Sequence, residues 1–251
     1  MPTRTRARIH QTSLVIALSI AGCLGSSNTL LPGNEGAPGV KHFLVCAPNT
    51  AIELPIELRG LTAVLREQVD AYLQFQGREA RWLDLLESKQ LWDQAVSAAK
   101  EKGAVERAPV LFAEEVARRY AFDVIVMPSI LLHETRVMDG SGQWDGVSRQ
   151  MKVVNSPVRP PSGVISTLAQ GIATGGVRGD VMVTSVHVLV FSRTGERIFE
   201  GRGGFGFVHD IDLSPASRGK FQYQLRDLAH DIDEIREGIA IAFDPYLPEA
   251  D

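Results

Sequence analysis

Metal ligation and proton transfer need imidazoles and carboxylates, and the candidates in this 251-residue chain are His133, Glu134, His187, His209, Asp210 and Asp212. These are ligand types suited to zinc or a hard cation. No pair has the i, i+4 spacing that places two ligands on one helix face, and no known ligand pattern is present, so no metal is expected. His187 shares a strand face with Val183, Ser185, Leu189 and Phe191, which predicts a half-exposed sheet histidine; Asp210 and Asp212 are expected to cap the turn that follows them. The run Gly201-Arg202-Gly203-Gly204-Phe205-Gly206 matches G-x-G-x-x-G after a strand. A dinucleotide site needs its last glycine to open a helix whose amides meet the phosphates, whereas Phe207-Val208-His209-Asp210 reads as extended. These glycines are therefore expected to mark bulges or close backbone approach, and no cofactor is expected. No G-x-S-x-G elbow occurs, and Cys46 lies in an apolar strand without a basic neighbour, which makes it a core residue. No catalytic residue is assigned, and the chain is read as a non-enzyme.

The other cysteine has a different setting. Arg4, Arg6 and Arg8 precede the apolar run Leu14 to Ile20, and no acid occurs before Glu35. The order of basic, apolar and small-residue regions is that of a signal peptide, and roughly ten apolar residues are too few to span a bilayer, which takes about 20. The run ends in Ile20-Ala21-Gly22-Cys23, which resembles the lipobox of bacterial lipoproteins. That resemblance implies acylation of Cys23, removal of residues 1–22 and anchoring through two or three acyl chains, since one chain holds only marginally. Leu24, where an aspartate would favour inner-membrane retention, implies the outer membrane with the domain facing the periplasm. Without residues 1–22 the chain keeps 23 basic against 30 acidic residues, which argues against nucleic acid as a partner. Cys46 then has no intrachain thiol to pair with.

The elements that must position these groups follow from patterning. Residues 23–40 are rich in Gly, Pro, Ser and Asn and read as a flexible tether. A single mixed α/β domain is expected over 41–247, with a sheet of five or six strands and helices mainly on one face. His42 to Cys46 is a buried strand, Leu61 to Leu73 an amphipathic helix ended by Gly77, and Ala80 to Leu83 a second strand. Helices follow from about Leu86 to Gly103 and from Ala108 to Tyr120. Phe122 to Leu132 is apolar on both faces, as a central strand should be. A long hairpin through Asp139-Gly140-Ser141-Gly142 is expected to reach Val154, with Trp144 near its tip. Residues 155–180 form a loop by composition. Strands over Val181–Ser192 and Arg197–Val208 flank the turn Arg193-Thr194-Gly195-Glu196, and a last helix is expected from Leu225 to Phe243, before Asp244-Pro245.

This order of elements, with the fragments Phe122-Asp123-Val124-Ile125-Val126 and Arg193-Thr194-Gly195-Glu196-Arg197-Ile198-Phe199, resembles the small envelope lipoproteins whose domain is similar to the N-terminal domain of TolB. The curli secretion lipoprotein and the penicillin-binding-protein activator lipoprotein are of that kind. The resemblance implies a non-enzymatic binding or assembly factor for another envelope protein. A surface aromatic, Trp144, and the apolar loop residues Ile165, Leu168 and Ile172 are the candidate partner contacts. The alternatives are a subunit of an oligomeric outer-membrane secretion channel, or an envelope hydrolase whose pocket would lie near His133 and Glu134. The proline-rich loop lacks the paired alternating strands of about ten residues that a barrel wall needs.

Overall fold

The computed structural model describes residues 28–32, 36–37, 39–154, 176–212 and 222–247. Cys23 and the loop residues Ile165, Leu168 and Ile172 lie outside the described residues.

The apolar strand at the centre of the sequence is also the centre of the sheet. Val124–Met138 (β4) pairs antiparallel with Gly179–Ser192 (β8) from Val124 opposite Ser192 to Val137 opposite Gly179. Arg197–Phe207 (β9) pairs antiparallel with β8, and Thr29–Leu30 (β1) closes that edge. On the other side of β4 lie His42–Val45 (β2) and Glu79–Trp82 (β3), both parallel, so the order is β1-β9-β8-β4-β2-β3. This is the mixed α+β architecture expected, except that the helices divide between the two faces of the sheet and do not gather mainly on one.

Strand alternation assigns the helices to faces. Phe43, Val45, Val124, Val126, Val186, Val188 and Phe205 point to one face, where Leu61–Phe75 (α1) and the C-terminal helix Ile232–Phe243 (α4) bury Leu65, Val69, Leu73, Ile235 and Ile239 against them. Leu44, Cys46, Ile125 and Met127 point to the other, and there Leu85–Glu101 (α2) and Ala108–Ala117 (α3) cover the parallel half. Cys46 is fully buried, and desolvation pushes its thiol pKa upward, as fits a core residue. Asp84 accepts from the Glu87 amide at 2.8 Å and so starts α2. Gly77 and Gly103, both at positive φ, end α1 and α2.

Three expectations change in detail. The long hairpin becomes two tight turns, because Asp139-Gly140 and Asp145-Gly146 each hold positive φ at both positions. Ser141–Trp144 (β5) therefore leaves β4 after two pairs and returns as Val147–Gln150 (β6). The turn between them closes over β9: the Gly204 amide donates to the Asp145 carbonyl at 2.9 Å and Arg149 Nε to the Phe205 carbonyl at 3.1 Å. Inside this curl lie Val137, Trp144, Val147, Val183 and Phe207.

The last helix starts at Ile232 rather than Leu225. Gln222–Leu225 (β11) instead pairs with His209–Asp212 (β10), which runs parallel to Val153–Val154 (β7) in a separate three-stranded sheet. Asp210 and Asp212 thus lie in β10 and do not cap a turn.

Part of the stretch expected as tether is docked. The side-chain amide of Asn28 donates to the carbonyls of Ile241 and Asp244, and its Oδ1 accepts from the Arg202 amide at 2.7 Å. Ala37 is buried, with its amide on the Tyr246 carbonyl.

Candidate functional site

The face of β4, β8 and β9 opposite α1 and α4 leaves a polar strip between the α2–α3 layer and the Asp145-Gly146 turn. Alternation and register bring its members together: Ser129 lies opposite His187, His187 opposite Arg202, and Leu131 opposite Ser185. Glu200 follows on the same face of β9 as Arg202.

Two clusters form there. In the first, Ser185 Oγ donates to Asp145 Oδ2 at 2.6 Å, and His133 Nε2 stands 3.0 Å from Ser185 Oγ and 3.1 Å from Asp145 Oδ2. In the second, His187 Nε2 meets Glu200 Oε1 at 3.0 Å, while Arg197 reaches Glu200 Oε2 at 2.7 Å. His187 is only 7% exposed, against the half-exposed setting expected, and its Nδ1 is buried without a hydrogen-bond partner among the described residues.

Serine, histidine and aspartate in contact invite comparison with a nucleophilic triad, but the geometry differs. A relay places the imidazole between acid and hydroxyl, one ring nitrogen for each. Here one ring nitrogen meets both, and the Ser185 hydroxyl donates its hydrogen bond directly to the carboxylate. Ser185 is fully buried. The cluster ties the Asp145 turn to β4 and β8, and it presents an imidazole edge and a carboxylate at the surface. Such groups can accept and donate hydrogen bonds to a bound partner.

Burial opposes the Asp145 charge, but hydrogen bonds from His133 and Ser185, with the nearby Arg202, outweigh it and hold its pKa below the ordinary 3.8. The hydrogen bond from His187 does the same for Glu200 against partial desolvation, helped by Arg197 and Arg202, from the ordinary 4.5. For carboxyls lowered in the folded state, the stability they add is present above the ordinary value and is lost as pH falls through the folded one. Acid destabilisation below ~pH 4 is the expected result, and the double variant Asp145→Asn, Glu200→Gln should show a smaller loss of melting temperature between ~pH 5 and ~pH 3. An unchanged slope counts against this assignment.

Trp144 does not serve as a surface contact. It is 7% exposed, its Nε1 donates to the Thr184 carbonyl at 3.2 Å, and its ring packs on Phe207 with centroids 5.0 Å apart. The turn that would have presented it instead folds onto its own sheet.

The glycines of the G-x-G-x-x-G run serve close approach. All lie within β9, and no helix opens from the last of them. A Cβ on Gly201 or Gly203 would sit 2.1 Å from the Ala242 carbonyl or 1.8 Å from the Gly238 carbonyl of α4, and one on Gly204 would sit 2.3 Å from Val147. Glu134, His209, Asp210 and Asp212 do not join the strip. Among the described residues no group of three or more His, Cys, Asp or Glu side chains is arranged so that it could hold a metal ion.

The residues that sequence reading missed are Asp145, Ser185, Glu200 and Arg202. Counting back from the Arg193–Glu196 turn would have set Glu200 and Arg202 beside His187. The contact of Asp145 depends on the curl of the sheet, and no local pattern encodes it. A separate groove of about 1120 Å³ lies between α1 and α4, lined by Asn28, Tyr72, Phe75, Arg236, Ile241 and others.

No family model, curated protein or solved structure matches this chain.

Proposed function

We propose that this chain is a lipid-anchored protein of the bacterial envelope, held at Cys23 in the outer membrane and facing the periplasm. In this reading it binds another envelope protein with the open face of β4, β8 and β9. The observation that carries the binding site is the strip itself, where His133, Asp145 and Glu200 keep part of their polar side chains at the surface beside the central strands. Desolvating charges costs free energy unless they are paired, so a partner that covers the partly exposed His133, Asp145 and Glu200 must supply hydrogen bonds to them. The anchor rests on the three-part signal sequence ending at Cys23, and the binding role is what the resemblance to TolB-like envelope lipoproteins implies.

Photo-cross-linking tests the site. A photoreactive residue at Leu131, half-buried on the strip face, should give one discrete heterologous adduct in intact cells. The same residue at Leu86, exposed on α2, should give none. Adducts from position 86 alone, or none from position 131, would place the partner elsewhere. Among the described residues no helix is long and apolar enough to cross a membrane.

A further inference from the structure

The first described residue after the proposed anchor is Asn28. Its side chain ties β9 to the end of α4 through three hydrogen bonds, and Thr29 and Leu30 then pair with Glu200 and Phe199. Cys23 is only five residues upstream. Five residues reach at most about 17 Å when fully extended. A domain of roughly 200 residues is about 40 Å across, from its expected radius of gyration. The lipid attachment therefore cannot swing to the far side of the domain.

What surrounds Asn28 is the groove between α1 and α4. Its rim carries Phe75, 78% exposed, the most exposed large apolar side chain among the described residues. Among the described residues its lining offers one cation, Arg236, against Glu237 and Asp244, so charge gives it no strong preference for an anionic surface. Apolar contact held in place by the tether is the interaction it suits. The other exposed leucine pair, Leu85 and Leu86, follows β3 at the opposite edge of the sheet and starts α2 on the opposite face. Five strand spacings separate β1 from β3, about 24 Å.

We propose that the face bearing Asn28, Phe75 and the α1–α4 groove lies against the bilayer that holds the Cys23 acyl chains. The opposite sheet edge with β3, Leu85 and Leu86 then points away from the membrane, while the strip, whose Glu200 and Arg202 adjoin Thr29 and Asn28, stands at the side of the domain. This rests on the anchor reading given above. It adds which side of the domain is covered by lipid and which is free to meet a partner. Phe75 alone is too small an apolar contact to hold the domain, so the Cys23→Ala protein is not retained on vesicles.

Site-directed spin labelling of the full lipidated protein tests this. Cys23 is consumed by lipid and Cys46 is buried, so Phe75→Cys and Leu86→Cys each offer one reactive thiol. The proteins are reconstituted in vesicles of phosphatidylethanolamine and phosphatidylglycerol after intact mass has established the lipid on Cys23. The ratio of oxygen to nickel-chelate collision rates should be several-fold higher at position 75 than at position 86. Equal ratios, or a higher one at 86, with Cys23 lipidated, overturn the orientation while leaving the anchor in place. An unmodified Cys23 in membrane-extracted protein removes the anchor and the orientation with it.

Discussion

Replacing Arg226 by methionine should lower the unfolding free energy by about 3–5 kcal/mol at neutral pH, the scale for removing one partner of a buried ion network. The Arg226 side chain is 5% exposed and serves three carboxylates: Asp231 at 2.7 Å, Glu234 at 2.8 Å and Asp210 at 3.9 Å. Lys152 adds a second cation, 2.6 Å from Asp231. Without the guanidinium, three acids share one amine. Burial already pushes the Asp210 pKa above its ordinary value, while Asp231, despite burial, is held low by Lys152 and Arg226. Protonation would relieve the crowded carboxylates, so the gap between variant and wild type should narrow as pH falls toward ~4. Urea unfolding midpoints at the two pH values check both statements. A loss under ~1 kcal/mol at neutral pH would mean that the network is open to water and worth no more than a surface pair.

The second large effect lies in the glycine run. Gly203→Ala should destabilise the fold by about 3 kcal/mol, at the upper end of the usual cost of overpacking. The added methyl would stand 1.8 Å from the Gly238 carbonyl, and a helix backbone cannot step aside as a flexible side chain can. Opening the α4–β9 contact would also expose Ile239 and Phe243, both buried. Gly39→Ala, with nothing within 4 Å of its Cβ, is the control and should change the midpoint little. Equal stability of the two variants would show that α4 is free to shift.

The parts of this fold that sequence reveals are those where one strand or helix carries its own signal. Phe122 to Leu132 announces a central strand because both faces are apolar, and Leu61 to Leu73 announces α1 by its single stripe. Gly77 and Gly103 mark helix ends through the conformation each must adopt. The same logic misled at Leu225 and Leu228, whose helical spacing joins that of Ile232, Ile235 and Ile239. The Arg226 carboxylate network turns the chain there, and its partners Asp210 and Lys152 are distant in sequence. Two-residue strands such as β1 and β7 carry too little pattern to be seen at all.

The candidate site was half legible. His133 and His187 stand out as residue types, and the exclusion of a phosphate loop at Gly201–Gly206 followed from the extended run after it. What joins the histidines to Asp145, Ser185 and Glu200 is strand register and the curl of β5 and β6 over β9. Trp144 shows the same limit, because an aromatic beside Asp-Gly fits an exposed tip and a turn folded inward equally well.

Lipid on Cys23 is what would hold the domain at the membrane, and intact mass of the chain extracted from membranes tests that directly. The predicted result is a chain lacking residues 1–22, with Cys23 as its first residue and heavier by a diacylglyceryl group and an amide-linked acyl chain. A membrane-extracted chain that begins elsewhere, or carries an unmodified Cys23, would contradict it.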